Sequence, residues 1–329
     1  MPLIHLLLLL VGFVLLVYGA DKLVEGASAL ARRYNIPDIV IGLTIVALGT
    51  SAPEMAINIV AAIKGNTDLV LGNVLGSNIF NVLAILGISA LIAPLAVKKN
   101  TIRYEIPFSL LAGLAVLFLA SDNIFNPGDN FIERKDGFIL VIFFILFLAY
   151  NFHLVKSHPE ELEIAAKTHP LIKTLLYIFF GLAGLVFGGK LIVDHAISLA
   201  TILGISERVI ALTIVSVGTS LPELATSIVA VRKKEVDIAI GNVVGSNIFN
   251  IFFVLGISTI AKQTPVPPNS FIDIWVNIAA GLMLLIFAFR GKASTGGRWE
   301  GRQLDFREGL LFIIMYIAYI AFLLFSKGQ

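Results

Sequence analysis

The chain has no cysteine. Disulfides, thiolate metal centres and thiol nucleophiles are therefore excluded. Charge is scarce as well: Asp, Glu, Lys and Arg make up 14% of the residues, against roughly 25% in soluble domains. The net charge of +2 is too small to draw a polyanion, so no nucleic-acid partner is expected. The first segment, LIHLLLLLVGFVLLVYGA, lacks a basic leading region, and its helical pattern runs on to about Arg32. It reads as a retained span rather than a cleaved signal peptide.

What is abundant is apolar sequence, at 57% of 329 residues. The runs are too many and too long for one soluble core. They predict spans near 3–31, 37–62, 69–95, 105–120, 137–155, 171–200, 207–231, 237–261, 270–289 and 308–326. Each is about long enough to cross ~30 Å of hydrocarbon, and the fourth is the shortest. The expected fold is an all-α membrane protein of ten transmembrane helices in a lipid bilayer. Asn35 and Ser206 are candidate helix caps, and Pro37 suits a first turn. Taken in alternation, one set of connecting segments carries 16 Lys and Arg and the other 6, with Lys22 and Lys190 inside spans. The positive-inside rule makes the richer set cytoplasmic and puts both termini outside a cell membrane.

Two stretches occur twice. Residues 42–54, GLTIVALGTSAPE, match residues 211–223, ALTIVSVGTSLPE, at 9 of 13 positions. Residues 72–81, GNVLGSNIFN, match 241–250, GNVVGSNIFN, at 9 of 10, again at an offset of 169. Five spans thus correspond to five. Because five is odd, the second set enters the membrane from the other side, giving two inverted repeats. The expected division is a first repeat over 1–151, a short polar cytoplasmic linker over 152–170, and a second repeat over 171–329.

Glu54 and Glu223 fall deep in the second and seventh spans. A carboxylate at the centre of a membrane helix costs on the order of 2.5–3.5 kcal/mol on insertion scales. A cation held between the two would offset that. Pro53 and Pro222 have no N–H to give the carbonyls of Gly49 and Gly218, so the helices open there. Freed carbonyls at membrane depth must line a cavity or be buried in protein. Together with hydroxyls and amide oxygens they form a hard donor set, suited to Ca²⁺ and Na⁺ rather than to Zn²⁺ or Cu²⁺. Thr50 and Ser51 lie four and three residues before Glu54, as Thr219 and Ser220 do before Glu223. Ser77/Asn81 and Ser246/Asn250 are pairs four apart. On a near-regular helix such pairs share a face. Gly72, Gly76, Gly241 and Gly245 would let these helices pack closely.

Several features have plainer readings. A lone Ser, Thr or Asn in a membrane helix is more often a helix–helix hydrogen bond, and a lone Glu can be structural. Duplication with adjacent Pro and Gly argues against that for Glu54 and Glu223. Asp21, Lys22 and Glu25, and Lys190 with Asp194, read as snorkelling or paired groups. His195 and Asp273 carry no usable signal, and the glycine-rich 291–302 reads as a flexible loop rather than a phosphate loop.

On the repeated GTSxPE and GNxxGSNIxN motifs, over essentially its whole length, the chain resembles the cation/Ca²⁺ exchangers. The resemblance is closest to the prokaryotic sodium/calcium antiporters. It implies that Glu54 and Glu223 bind Ca²⁺ and Na⁺, with carbonyls at Thr50 and Thr219 and with Ser51, Ser77, Ser220 and Ser246 completing overlapping sites. It also implies that the Ala47 backbone serves one Na⁺ site and that Ser216 holds the matching place. The chain departs from some members at Asn250, where they carry Asp; Asn81 is its mate, and the pocket then holds two carboxylates rather than three. No cofactor and no obligate protein partner are expected, only Ca²⁺ and Na⁺ as substrates. Coupling to H⁺ or K⁺ is the alternative within this class. A cation channel is disfavoured because ligands paired within one chain are not a multi-subunit ring. An enzyme is disfavoured because no nucleophile–base pair lies near the repeats.

Overall fold

The computed structural model describes residues 2–65, 67–121, 130–157, 169–203, 216–290, 292–293 and 302–326. Among them, eight helices are long and apolar enough to cross a membrane. These are α1 (Leu3–Tyr34), α4 (Leu69–Ile92), α5 (Thr101–Leu119), α6 (Arg134–Ser157), α7 (Leu171–Ile202), α9 (Val236–Ala261), α10 (Ser270–Arg290) and α11 (Phe306–Phe325). A ninth span forms if α2 (Asp38–Thr50) and α3 (Ala52–Lys64) are one helix bent by 48°. The seventh expected span starts with 207–215, which lie outside the described residues, as do Ser206 and 158–168 of the expected linker. Its described portion is the turn Ser216–Gly218 and α8 (Leu221–Arg232).

The boundaries differ from expectation in three places. Asn35 does not cap a helix start. It stands beyond the end of α1 at φ 52, a left-handed conformation that Asn tolerates, and the next amide, of Ile36, bonds back to Ala31 O at 2.9 Å. The fourth span begins four residues early, as a π-helical turn over Thr101–Glu105. The fifth helix runs on to Ser157, into the segment expected to be linker.

The helices are joined by short strands that the apolar pattern does not predict. β1 (Leu95–Val97) and β4 (Lys292–Ala293) flank β5 (Arg302–Leu304) in one antiparallel sheet. β2 (Phe131–Ile132) pairs with β3 (Thr264–Pro265) in another. The first sheet brings together two of the lysine- and arginine-rich connections, and Lys98 to Asp237 at 2.7 Å adds the start of α9. We refer to this end of the bundle as the basic face.

Packing sorts the helices into a centre and a periphery. The most apolar windows of α4 and α9 are 78% and 83% buried, while no other candidate span exceeds 33%. The periphery turns large apolar side chains outward, among them Phe118, Phe179, Phe187 and Phe325, as lipid contact requires. α1 and α7 run antiparallel in close contact along glycines. A Cβ on Gly12 would lie 3.0 Å from Gly188 O, and one on Gly181 would lie 2.9 Å from Gly19 O. Small residues let membrane helices approach this closely. The same device recurs in mirrored places: Gly309 meets Gly87 O at 2.8 Å, joining α11 to α4, and Gly137 meets Gly256 O at 2.7 Å, joining α6 to α9.

Gly241 and Gly245 allow the expected close packing, against Ile39 O at 2.8 Å and Leu43 O at 2.6 Å of α2. Gly72 has no described neighbour within 4 Å of such a Cβ.

Candidate functional site

Each repeated motif folds as a helix that stops and restarts. α2 ends at Thr50, Ser51 takes φ −83 and ψ 9, and α3 starts at Ala52 with Pro53 in its first turn. The second copy repeats this at Ser220, φ −91 and ψ 10, ahead of α8 with Pro222 in its first turn. Proline is tolerated there because the first N–H groups of a helix have no partner to lose. Glu54 and Glu223 therefore sit in the first turn of a helix, at its positive end, where carboxylates are favoured.

Ser-x-x-Glu at a helix start is the spacing of a capping box, but neither serine caps its own helix. Ser51 Oγ donates instead to Glu223 Oε1 at 2.7 Å, and Ser220 Oγ donates to Glu54 Oε1 at 2.9 Å. The two halves exchange their capping hydroxyls across the centre of the molecule. Both glutamates are only 1% exposed.

Around them the central helices α4 and α9 interlock through amides. Asn81 Nδ2 donates to Asn247 Oδ1 at 3.0 Å, and Asn250 Nδ2 donates to Asn78 Oδ1 at 3.1 Å. Asn78 Nδ2 donates to Asn247 O at 3.1 Å, and the reverse bond, from Asn247 to Asn78 O, is 3.4 Å. Asn81 and Asn250 each sit in a π-helical stretch, Phe80–Leu86 and Phe249–Leu255, a distortion frequent at functional sites. Asn242 spans the site from below: it accepts from Thr50 Oγ1 at 3.0 Å and donates to Ser227 Oγ at 3.0 Å and to Glu223 O at 3.2 Å.

Several oxygens remain without a partner. Among the described residues, Glu54 Oε2, Glu223 Oε2, Ser77 Oγ, Ser246 Oγ, Asn81 Oδ1 and Asn250 Oδ1 are all buried without a hydrogen-bond partner. A buried polar atom left unpaired is costly, on the order of 1–3 kcal/mol each. Here six of them occur as three repeat-related pairs, all oxygens with free lone pairs. Such a set fits a desolvated hard cation. Among the described residues no group of three or more His, Cys, Asp or Glu is placed to hold a metal ion, so most ligands of a cation bound here would be neutral oxygens.

The other expected site residues are placed less directly. Thr50 is fully buried, with its hydroxyl also 3.1 Å from Val46 O. The 48° break after Thr50 means that Thr50 and Glu54 do not share one regular helix. Thr219 stands in the turn before Ser220. Ala47 is buried, and its carbonyl accepts the Ser51 N–H at 3.0 Å. Ser216 opens the turn Ser216–Gly218, and its side chain lies outside the described residues. Sequence reasoning passed over Asn78, Asn247 and Asn242. All three fall inside the GNxxGSNIxN repeats, so duplication was the available signal.

Beyond the pocket, Lys190 pairs with Asp194 at 3.2 Å and Lys22 with Glu25 at 2.8 Å, as their spacing suggests. His195 meets His5 with Nδ1 atoms 3.0 Å apart. Asp273 accepts from Tyr319 Oη at 2.7 Å, and Glu105 accepts from Tyr150 Oη at 2.5 Å, two clasps whose tyrosines are 169 residues apart.

Known proteins resemble this chain in sequence and fold. The profile of the family described as sodium/calcium exchanger protein matches residues 4–153 and 173–325. The putative antiporter CaxA of Alkalimonas amylolytica is 39% identical over 99% of this chain and 100% of its own. The sodium/calcium exchanger MaX1 of Methanosarcina acetivorans is 33% identical, over 98% and 99%. The solved sodium-calcium exchanger NCX_Mj, soaked with 10 mM Na⁺ and zero Ca²⁺, superimposes with a TM-score of 0.82 at 31% identity, covering 98% of this chain and 99% of that one. With a matching profile, relatives aligned end to end and a shared membrane fold, this chain belongs to the sodium/calcium exchanger protein family, whose members are membrane antiporters and not enzymes.

Proposed function

We propose that the protein exchanges Na⁺ for Ca²⁺ across the cell membrane, with both ions competing for one pocket built on Glu54 and Glu223. The carrying observation is the reciprocal pair of serine–glutamate bonds, which leaves one free oxygen on each carboxylate. Ser51, Ser220, Ser77, Ser246, Asn81 and Asn250, with backbone at Thr50, Thr219, Ala47 and Ser216, complete the overlapping sites. A Ca²⁺ ion neutralises both carboxylates at once; Na⁺ ions replace it one charge at a time. An empty pocket would leave two facing carboxylates ionised and dry, which like-charge repulsion and desolvation both oppose. Uncoupled return is disfavoured for that reason, and exchange is the consequence.

In this reading the chain comprises ten spans, as two inverted five-helix repeats over 1–151 and 171–329 joined by 152–170. The antiparallel glycine contact of α1 with α7 supports it, since span one and its mate would run oppositely. The basic face is cytoplasmic and both termini are outside.

The deciding assay is ⁴⁵Ca²⁺ uptake into proteoliposomes with and without an opposed Na⁺ gradient. Saturable uptake that requires the gradient is expected. Flux without a counter-ion would instead mean a channel, and uptake driven equally by K⁺ or a pH gradient would reassign the coupling ion. For orientation, the cysteine-free background permits single labels. Ser157→Cys should be shielded from an impermeant thiol reagent outside intact cells while Asn130→Cys reacts, and the reverse pattern would invert the topology.

A further inference from the structure

We propose that ion pairs at the basic face form a latch that the mirrored positions at the opposite face cannot repeat, and that this imbalance biases the pocket to open away from the basic face. The inference rests on the alternating-access reading above. Lys233 Nζ lies 2.6 Å from Asp21 Oδ1 and donates to Asp21 O at 3.0 Å. Arg32 Nη1 lies 3.5 Å from Glu235 Oε1, which also accepts from Ser28 Oγ at 2.7 Å. Lys98 Nζ lies 2.7 Å from Asp237 Oδ2. These contacts fasten α1 and the connection before α5 to the short turn between α8, which carries Glu223, and α9. Side-chain exposures between 20% and 38% leave every partner partly desolvated, where ion pairs are screened less than on open surface.

In an inverted repeat, each half takes up the other's arrangement when the pocket changes sides. A latch that shuts one face therefore has mirror positions, 169 residues away, that would shut the other. The mates of Asp21 and Lys233 are Lys190 and Lys64. Those of Arg32, Glu235 and Ser28 are Thr201, Asn66 and Ile197, and those of Lys98 and Asp237 are Pro267 and Asp68. Two lysines, a threonine with an asparagine, and a proline with an aspartate cannot make the three ion pairs. Consistently, two ion pairs at the opposite face are local: Lys190–Asp194 within α7 and Lys135–Glu133. Closure of the basic face gains attractions that the mirrored residues cannot supply at the other face. The serine–glutamate bonds at the pocket are reciprocal, so this bias comes from the surroundings.

The readout is the ratio of half-saturating Ca²⁺ at the two faces, from ⁴⁵Ca²⁺ exchange in right-side-out and inside-out vesicles. Apparent affinity at a face scales with the fraction of protein open to it, so the ratio follows the equilibrium between the two states. Lys22 also lies 3.5 Å from Asp21 Oδ2, so the variant removes charge on the α8–α9 side. Lys233→Gln with Glu235→Gln should shift the ratio about two- to fivefold in favour of the basic face, the range commanded by partly exposed ion pairs. Lys233→Arg should leave it in place. Lys190→Asp, which offers Lys64 the mirrored partner at the opposite face, should shift the ratio the other way. An exchanging parent whose ratio does not move in the double variant, or moves in the same direction in both variants, overturns the latch alone. A parent without Na⁺-dependent exchange overturns the transport reading and the latch with it.

Discussion

At the pocket the two halves exchange the same bond: Ser51 serves Glu223 at 2.7 Å and Ser220 serves Glu54 at 2.9 Å. At the ends of the same helices they diverge, with Asp21 and Lys233 joined at one face and lysines at both mirrored positions. The difference separates two demands on an inverted repeat. In the proposed exchange, one ion would meet the same ligands whichever side it came from, which would keep the centre alike. The faces would hold no cargo and would touch different solutions, so their residues would be free to differ.

The strongest break in the central symmetry is at the carboxylates. Glu54→Gln or Glu223→Gln should each abolish Ca²⁺ exchange while the protein still inserts and elutes as a folded species, because each removes half the negative charge facing the cation. Exchange at the parental rate in either variant would place the ions elsewhere. A milder break removes one hydroxyl. Ser51→Ala and Ser220→Ala should each weaken apparent Ca²⁺ affinity about tenfold, the scale of a hydrogen bond to a charged group, and by similar factors. A loss in only one of the two would mean that the exchanged bonds are not equivalent and that the ligand set is lopsided.

The smallest effect concerns the frame and leaves the pocket intact. A Cβ on Gly181 would stand 2.6 Å from Leu23 N, whereas on Gly189 its nearest neighbour is Pro222 Cδ at 3.8 Å. Gly181→Ala should lower stability by about 1–3 kcal/mol through overpacking, seen as a lower thermal midpoint in detergent. Gly189→Ala on the same helix should change it little. Equal midpoints would mean that α1 and α7 do not touch along their glycines.

The helices were legible in the sequence wherever apolar runs were long. The exceptions were local: the left-handed Asn35 after α1, the π-turn ahead of α5, and α6 running past its expected end. The paired strands were not legible, because β1, β2 and β3 are two or three residues each and owe their pairing to segments far away in the chain. The two tyrosine–carboxylate clasps escaped for the same reason, since Asp273 alone has no pattern and its partner Tyr319 is 46 residues on.

By itself, the sequence determined that the chain is a membrane protein, that it is duplicated, and which residues are shared between the copies. Hydropathy and repetition are written residue by residue and need no contact to be read. The tertiary structure alone decided that each serine serves the other half's glutamate, that Asn78 and Asn247 lock α4 to α9, and that Lys233 reaches Asp21. Those partners lie 166 to 212 residues apart, and spacing rules reach only a few helical turns. Beyond that range, packing of the central helices chooses which polar atoms meet and which oxygens are left without a partner.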